Sequence, residues 1–353
     1  MARRCFNAAS RGVASRLCRG LIGAALVALI ASPAAAASFP LAADQVLVGA
    51  SGVYTTRAED TLPELARRND LGYGQLIAAN PGIDPWLPGA GRRIALPGLY
   101  LVPDGPRRGI VINLAEQRLY YFPPDGQTVE TYPIGIGVEA DMTPLGTTQV
   151  TVKEAQPSWY PPPSIRAERP ELPEVIPPGP DDPLGEYALR LGWPNYLIHG
   201  TNKPYGVGRH VSHGCIRLYP EDIRQLFSEV SVGTPVRVID EPIRLGWVKG
   251  ELYLAVSPSR KQMDEIDNNE TVTPDIPPEL NARVADAAGV EFERVDWTIV
   301  NKIALQRSGV PTPITRPQLA RAPEPPALRL AQASMKSSHP RSVGGCGPQA
   351  NAR

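Results

Sequence analysis

Apolar residues in the first part of the chain recur at helical spacing. Within residues 62–71, leucine and alanine side chains fall on one face of a helix, and residues 75–80 carry a second apolar run that a proline ends. Residues 53–54 and 93–96 have the β-branched and apolar character of short flanking strands. The pattern therefore predicts a small βααβ unit over residues 52–97.

The next part of the chain follows a strand pattern instead. One helix is predicted, at residues 220–227, with a proline near its start. Apolar and β-branched runs bounded by turn residues occupy 109–114, 118–122, 129–138, 147–152, 196–198 and 234–239. Many short strands with a single helix indicate a mainly β domain over residues 108–240.

A proline-rich segment interrupts this β domain. Ten prolines lie between residues 157 and 183. Proline fixes φ and lacks an N–H donor, so this density excludes both a strand ladder and a long helix. We expect a long ordered loop or lid, and loops of this length inside compact domains are often functional.

The last part of the chain divides in two. Residues 241–310 form a small accessory region with a strand at 251–256 and a helix at 297–308. Residues 311–353 are rich in Pro, Ala, Arg and Ser and have no apolar periodicity, so we expect a disordered tail.

The first 37 residues carry the features of an export signal. Five arginines precede a 12-residue apolar run at residues 20–31, and an alanine stretch at 34–37 offers an Ala-x-Ala cleavage site. The run is shorter than the roughly 20 residues that span a bilayer. We predict a cleaved signal peptide over residues 1–37 and a periplasmic mature protein, with an uncleaved membrane anchor as the alternative.

Removal of this segment changes the charge of the chain. It takes away five arginines and no acidic residue, so the 36 basic residues fall to 31 against 36 acidic ones. No basic tract remains, and nucleic-acid binding therefore has no electrostatic basis.

Cys215 and its neighbours are the strongest candidates for chemistry. Cys215 follows Ser212-His213-Gly214, and His199 lies sixteen residues upstream. A cysteine attacks as the thiolate, and its pKa of about 8.5 leaves little thiolate at neutral pH. A neighbouring imidazole can accept the proton, so we expect a thiolate–imidazolium pair.

The residues around Cys215 fit this chemistry. His213 and Arg217 each lie two positions from Cys215, and alternate residues of a strand share a face. Gly214 lets the backbone bend and lets a substrate approach closely. Amides near Gly214 and Cys215 could donate to an oxyanion, and Arg217 is placed to hold a substrate carboxylate.

Two other roles for Cys215 are alternatives to that of a nucleophile. A free cysteine often serves as a small buried apolar residue. The set His199, His210, His213 and Cys215 contains zinc-ligand types, but its spacing fits no common zinc pattern, so we expect no metal and no cofactor. His210 is expected to be a solvent-exposed loop residue. A disulfide to Cys346 would remove the reactive thiol, and we predict a free one.

Two segments of this region, residues 198–202 and 211–218, resemble the L,D-transpeptidase (YkuD-type) family. The flanking segments 143–146, 159–162 and 178–185 agree as well, although Asp182 stands where relatives often carry Asn. The βααβ unit resembles a LysM module, with Glu59 in place of the usual Gly. The resemblance implies a YkuD-type β-sandwich catalytic domain over 108–240 and a LysM-like glycan-binding domain over 45–98, followed by the accessory region.

The resemblance implies a cysteine acyltransferase acting on peptidoglycan. Cys215 would attack the diaminopimelate carbonyl of a tetrapeptide stem and release D-Ala. His199, oriented by the backbone carbonyl of Gly200, would accept and return the proton. The oxyanion pocket would be shaped by Ser212, His213 and Gly214, and the substrate would contact Arg217, Thr201, Tyr205 and Trp159.

The acceptor of the acyl group stays open. A second diaminopimelate would give a 3-3 cross-link, an amine of an envelope protein would give anchoring, and water would give carboxypeptidase activity. The implied partners are thus peptidoglycan stem peptides and glycan, with an envelope protein as a second type of acceptor. A non-catalytic glycan-binding wall protein and a cysteine peptidase are the competing functions.

Overall fold

The computed structural model describes residues 37–138 and 142–317. The predicted signal peptide, apart from Ala37, lies outside the described residues, as do Cys346 and residues 318–353. Within the described ranges, no helix combines the length and the apolar character needed to cross a membrane.

The first module contains the predicted βααβ unit. Its elements are β1 Ala37–Pro40, β2 Leu47–Gly49, β3 Gly52–Thr55, α1 Leu62–Arg68, α2 Tyr73–Ala79, β4 Arg93–Leu96 and β5 Leu99–Leu101. Strands β3 and β4 pair antiparallel, with Tyr54 opposite Ile94. Leu62, Leu65 and Leu76 of the two helices close over Ile94 in one buried cluster, which stabilises a unit this small by removing apolar surface from water.

One asparagine explains where α2 ends. The buried Asn80 side chain donates to the backbone carbonyls of Leu76 (2.8 Å) and Ala95 (2.9 Å), and its Oδ1 accepts from the Ala95 amide at 2.7 Å. The amide thus satisfies a carbonyl of the last helical turn and ties that turn to β4.

The second domain is mainly β, as the sequence predicts. Its elements are β6 Gly109–Asn113, β7 Arg118–Phe122, β8 Thr128–Pro133, β9 Ile136–Gly137, β10 Gly146–Ala155, α3 Pro163–Glu168, β11 Tyr187–Leu191, β12 Leu197–His199, β13 His210–Ser212, β14 Ile216–Arg217, α4 Pro220–Glu229 and β15 Pro235–Ile239. Nine strands form one mixed sheet in the order β1-β8-β7-β6-β15-β10-β11-β12-β14, and β9 pairs with β13.

The sheet curls around its core at β10. The first part of this ten-residue strand pairs with β15 and the second part with β11, with a register shift between Val150 and Val152. Ile112 from one half of the sheet and Ile198 from the other belong to the same buried cluster, together with Leu226 of α4. The β-sandwich expectation therefore needs correction: a single curled sheet encloses the core, because an irregularity of this kind bends the strand that carries it.

The proline-rich segment connects β10 to β11. It contains only the six-residue α3 and a single bridge, at which Trp159 and Ile176 exchange backbone hydrogen bonds of 2.9 and 2.8 Å. The prediction of a long loop without ladder or long helix is confirmed.

The accessory region has a core of its own. Its elements are β16 Ile243–Val248, β17 Glu251–Val256, α5 Arg260–Asp267, α6 Leu280–Ala288, α7 Trp297–Gln306 and β18 Thr312–Pro313. The expectation that the disordered tail begins at residue 311 is wrong. Thr312 pairs with Leu254 of β17, and Ile314 is fully buried, so apolar burial holds this segment in place.

Backbone contacts join the first module to the second domain. The amides of Tyr73 and Gly74, in the first turn of α2, donate to the carbonyls of Val207 (3.2 Å) and Gly208 (3.1 Å). These are N–H groups that a helix cannot satisfy internally. Gly208 has φ +82°, and a Cβ there would lie 2.2 Å from the Tyr73 nitrogen, so only glycine allows this approach.

Candidate active site

Two adjacent strands place the histidine and the cysteine on the same face of the sheet. Strands β12 and β14 pair in parallel, with His199 opposite Arg217, and Cys215 directly precedes β14. Because register partners and alternate residues share a face, all three side chains project to one side of the sheet. Consistent with this, the charge of Arg217 acts on both the imidazole and the thiol.

His199 is buried and held by a backbone carbonyl. It is 3% exposed, and Nδ1 lies 2.6 Å from the carbonyl oxygen of Gly200. In the neutral ring this contact makes Nδ1 the donor and leaves Nε2 with a lone pair. A Cβ on Gly200 would meet Ile223 Cγ2 at 3.0 Å and the Leu184 carbonyl oxygen at 3.3 Å, which explains a glycine beside the histidine.

Burial keeps this imidazole uncharged. Desolvation, and after it the positive charge of Arg217, lowers the pKa of His199 to about 3, while hydrogen bonds to the carbonyls of Gly200 and Leu184 act in the opposite direction. At neutral pH the ring is therefore a neutral proton acceptor.

The thiol of Cys215 is also neutral at rest. Cys215 is a half-buried free cysteine whose Sγ donates to the carbonyl oxygen of Asn195 at 3.6 Å. Burial raises its pKa, and a backbone hydrogen bond from Leu197 and the charges of Arg217 and Arg190 oppose that rise. The expected thiolate–imidazolium pair is therefore not the resting state, because burial disfavours both charged forms.

Hydroxyl groups hold the turn that carries Cys215. Thr143 Oγ1 donates to the carbonyl of Gly214 at 2.8 Å, and Ser212 Oγ donates to the carbonyl of Cys215 at 2.6 Å. Gly214 has φ +90°, a conformation that favours glycine. Because a trans peptide is planar, the Cys215 N–H points away from Thr143, so its direction is fixed before any substrate arrives.

The remaining residues suggested by the sequence lie in different places. Ser212 and Thr201 are buried, and Thr201 Oγ1 accepts from the Lys203 amide at 3.0 Å. The side chain of His213 is exposed, and Tyr205 is half exposed. Trp159 lies at the bridge within the proline-rich segment, so three separate segments supply the predicted substrate contacts.

Arg217 combines burial with an unused donor. Its Nε is buried and has no hydrogen-bond partner within the described part of the chain. Burial lowers the pKa of this guanidinium, and the nearby Cys215 acts the other way. A buried cation with a free donor is a ready anchor for a carboxylate.

Sequence reasoning missed Arg190 beside the thiol. On β11, Arg190 is the register partner of Leu197, and it pairs with Glu154 at 2.6 and 3.1 Å. Its charge lowers the pKa of Cys215. Only the pairing of β11 with β12 brings it there, and the local sequence carries no signal of that pairing.

His210 does not behave as expected. Its side chain is buried, and Nδ1 lies 2.8 Å from Asp264 Oδ1 on α5. The expectation of a solvent-exposed loop residue is wrong, because the accessory region covers β13. Within residues 37–138 and 142–317, no three His, Cys, Asp or Glu side chains group in a way that could hold a metal.

Comparisons with known proteins point to one family. Residues 107–238 match the YkuD family, described as an L,D-transpeptidase catalytic domain. The probable L,D-transpeptidase YcfS of Escherichia coli K12 is 39% identical over 310 residues, which cover 84% of this chain and 94% of that protein. The probable L,D-transpeptidase ErfK/SrfK of the same organism is 40% identical over 278 residues, covering 76% and 87%.

Solved structures are less similar to this chain than the two E. coli proteins are. The catalytic domain of the Enterococcus faecium L,D-transpeptidase is 24% identical and superposes with a TM-score of 0.31, covering 39% of this chain and all of that one, a superposition too weak to support an argument. The two E. coli relatives are similar over nearly their whole length. This chain therefore belongs to the L,D-transpeptidase family, acyltransferases of peptidoglycan metabolism.

Proposed function

We propose that Cys215 carries the acyl group of a tetrapeptide stem as a thioester and passes it to an amine. The observation that supports this most directly is the half-buried free thiol on the same face as a neutral His199, whose Nδ1 is held by the Gly200 carbonyl. Such a ring has its other nitrogen available as a general base.

The chemistry begins with two uncharged groups. The thiol proton moves to Nε2 of His199 as Sγ bonds to the diaminopimelate carbonyl carbon. The Gly200 carbonyl stabilises the imidazolium, whereas Arg217 disfavours it, so the charged ring is short-lived. The oxyanion accepts hydrogen bonds from amides near Gly214 and Cys215, in the pocket shaped by Ser212 and His213.

The acyl intermediate forms when the bond to D-Ala breaks. The imidazolium returns its proton to the departing amine, which leaves a Cys215 thioester and a neutral His199. An acceptor amine then attacks the same carbonyl, His199 takes the amine proton, and the thiol is regenerated. The energy of the original peptide bond is conserved in the thioester, so no ATP is required.

Arg217 anchors the donor stem in this proposal. The buried guanidinium has an Nε without a partner among the described residues, and a stem peptide carries carboxylates that fit a fork-shaped donor. Thr201, Tyr205 and Trp159 are the further contacts that we assign to the stem.

The acceptor is either a second diaminopimelate or an amine of an envelope protein. The first gives a 3-3 cross-link and the second anchors that protein to peptidoglycan. We place this reaction in the periplasm, because the first 37 residues carry the features of a cleaved export signal. The LysM-like module, residues 45–98, is proposed to hold glycan, supported by its βααβ order.

Mass analysis of the enzyme with muropeptides tests the reaction. We expect incubation with a tetrapeptide donor to add the mass of the donor less D-Ala, and the Cys215→Ser variant to form no thioester. Diaminopimelate-containing and lysine-containing acceptors should each be offered, and the favoured one should discharge the adduct. Hydrolysis that persists unchanged with saturating amine would instead indicate a cysteine peptidase, and absence of any adduct would indicate a non-catalytic wall protein.

A further inference from the structure

Buried charged groups meet where the first module contacts the catalytic domain. Asp70, in the turn between α1 and α2, is 9% exposed, and Asp222 of α4 is 2% exposed. Arg118 of β7 is fully buried beside them. Arg67 and Glu221 form a two-pronged ion pair at the edge of this cluster, with both N–O distances 2.8 Å, and so neutralise each other.

Each aspartate has one carboxylate oxygen without a partner. Asp70 Oδ1 and Asp222 Oδ2 are buried without a hydrogen-bond partner among the described residues. Arg118 uses its N–H groups on Thr131 Oγ1 (3.0 Å), Gln75 Oε1 (3.1 Å) and the backbone carbonyl of Asp70 (3.0 Å). One buried cation therefore faces two buried carboxylates, and the cluster lacks one positive charge.

The pKa values of these groups reflect the missing charge. Burial raises the pKa of Asp70 to about 7 and that of Asp222 well above its usual range, and the charge of Asp70 raises the pKa of Asp222 further. Tyr100 and Tyr219 also face the cluster, and burial raises the pKa of both hydroxyls, so they stay neutral at physiological pH.

The backbone nitrogen of Ala37 points at this site. It donates to Asp70 Oδ2 at 3.1 Å. Strand β1 pairs with β8 so that Ala37 is the register partner of Thr131, the same residue that Arg118 contacts. Residues 34–36 are Ala-Ala-Ala, which satisfies the Ala-x-Ala rule for cleavage immediately before Ala37.

We propose that an export peptidase cuts between Ala36 and Ala37, and that the new α-ammonium of Ala37 is the cation that completes the Asp70–Asp222 site. Hydrolysis consumes one water and leaves a carboxylate on Ala36 and a protonated amine on Ala37. The amide donor already in place becomes three donors with a positive charge, beside the Asp70 carboxylate, whose Oδ1 lacks a partner among the described residues. The inference rests on the proposed export, and it moves the cleavage one residue from the boundary at 37.

The first test is the intact mass of the protein recovered from the periplasm of an expressing bacterium. We expect the mass of a chain that starts at Ala37. A start at Ser38 would overturn this inference and leave export in place, whereas an uncleaved chain would overturn both.

The second test compares the thermal unfolding of two full mature chains. One begins at Ala37, and the other carries Gly-Ser before Ala37, both released from a cleavable fusion. We expect the extension to lower the midpoint by about 3 °C or more at pH 7. Asp70→Asn should abolish the difference between the two chains, whereas Asp286→Asn, on the exposed side of α6, should leave it unchanged. Asp222→Asn is the second probe if Asp70→Asn does not fold.

The pH dependence sharpens this comparison. The folded-state pKa of the ammonium is raised above its unfolded value near 8, so its contribution is present below that pH and is lost as pH rises through the folded value. In the extended chain the Asp70 carboxyl charges unfavourably between its unfolded pKa of about 4 and its folded pKa of about 7. The difference in midpoint should thus be smallest near pH 4, largest near pH 7 and smaller again above about pH 9.

Two results would overturn the proposal. Equal midpoints of the Ala37 and extended chains at every pH would mean that the terminus carries no charge into the site. If the two chains still differ in unfolding midpoint when both carry Asp70→Asn, the ammonium does not bind at Asp70. If Asp70→Asn instead stabilises both chains to the same extent, Asp70 and Asp222 share a proton and need no ammonium.

Discussion

Two buried histidines flank the same loop and have different surroundings. His199 is held by a backbone carbonyl and shares a face of the sheet with a half-buried thiol and with an arginine whose Nε has no partner among the described residues. His210 faces Asp264, a carboxylate on a helix of the accessory region. Burial lowers the pKa of both rings, so burial alone does not distinguish them. The ring held by backbone carbonyls suits the proton transfer proposed above, whereas the ring paired with a carboxylate joins two parts of the structure.

The largest expected effect comes from exchanging each histidine in turn. His199→Gln should lower the rate of acyl-enzyme formation by about 10³-fold, within the range of general-base catalysis, and leave the fold intact. His210→Gln should change that rate by less than about threefold. Rapid-quench mass analysis with a tetrapeptide donor measures both. Equal losses of rate in the two variants would contradict a catalytic role for His199 and a structural role for His210.

The second effect concerns the arginine. Arg217→Gln should raise the pKa of the Cys215 thiol, because the cation favours the thiolate, and should weaken donor binding. We expect about a 10- to 100-fold loss in kcat/KM, most of it in KM. Arg209→Gln, next to His210 in sequence, is the matched control. Alkylation by iodoacetamide followed against pH reports the thiol pKa, and an unchanged profile would remove Arg217 from this role.

The third effect is the dependence of stability on pH. The pKa of His199 is depressed to about 3 in the folded protein, against about 6.5 in the unfolded chain. Its contribution is therefore fully present above pH 6.5 and is lost as pH falls towards 3, by an amount of the order of 3 kcal/mol. Urea unfolding of the native chain and His199→Gln between pH 4 and 8 measures it. Parallel curves for the two proteins would contradict a neutral buried ring.

The smallest effect concerns the stability that His210 provides. Breaking its partly buried contact with Asp264 by His210→Gln should cost about 1 kcal/mol, typical of a hydrogen bond to a charged group that is half exposed. Asp264→Asn keeps the shape and should cost less. Urea midpoints at pH 7 give the values. A loss in His210→Gln below about 0.3 kcal/mol would mean that α5 does not depend on this contact.

Local patterns in the sequence were sufficient for part of the fold. The helical face within residues 62–71 is visible because its apolar positions repeat with the period of a helix. The strand at 118–122 is fully buried and shows no alternation, and it is visible because aromatic strand formers are concentrated there. Strand β11 was not predicted, since Tyr187–Leu191 is buried partly through its pairing with β10, which the long proline-rich segment separates from it in sequence. The same holds for Ile314, which is buried in the accessory core.

The residues of the candidate site also fall into those that the sequence predicts and those that it does not. His199 and Cys215 stand out because their motif is compact and chemically distinctive. Arg190 and Thr143 do not, because each reaches the site through a contact between distant segments. The protonation state was also not predictable, because it depends on tertiary burial.

The close approach at Gly208 fixes the first module against the second domain. The first helical turn of α2 is completed by carbonyls of the loop at residues 207–208, so the module is docked on the catalytic domain and is not a separate body on a tether. A strand of glycan held there would present its stems at one set distance from Cys215. The distance between the module and Cys215 would then determine which stems along the bound glycan can react.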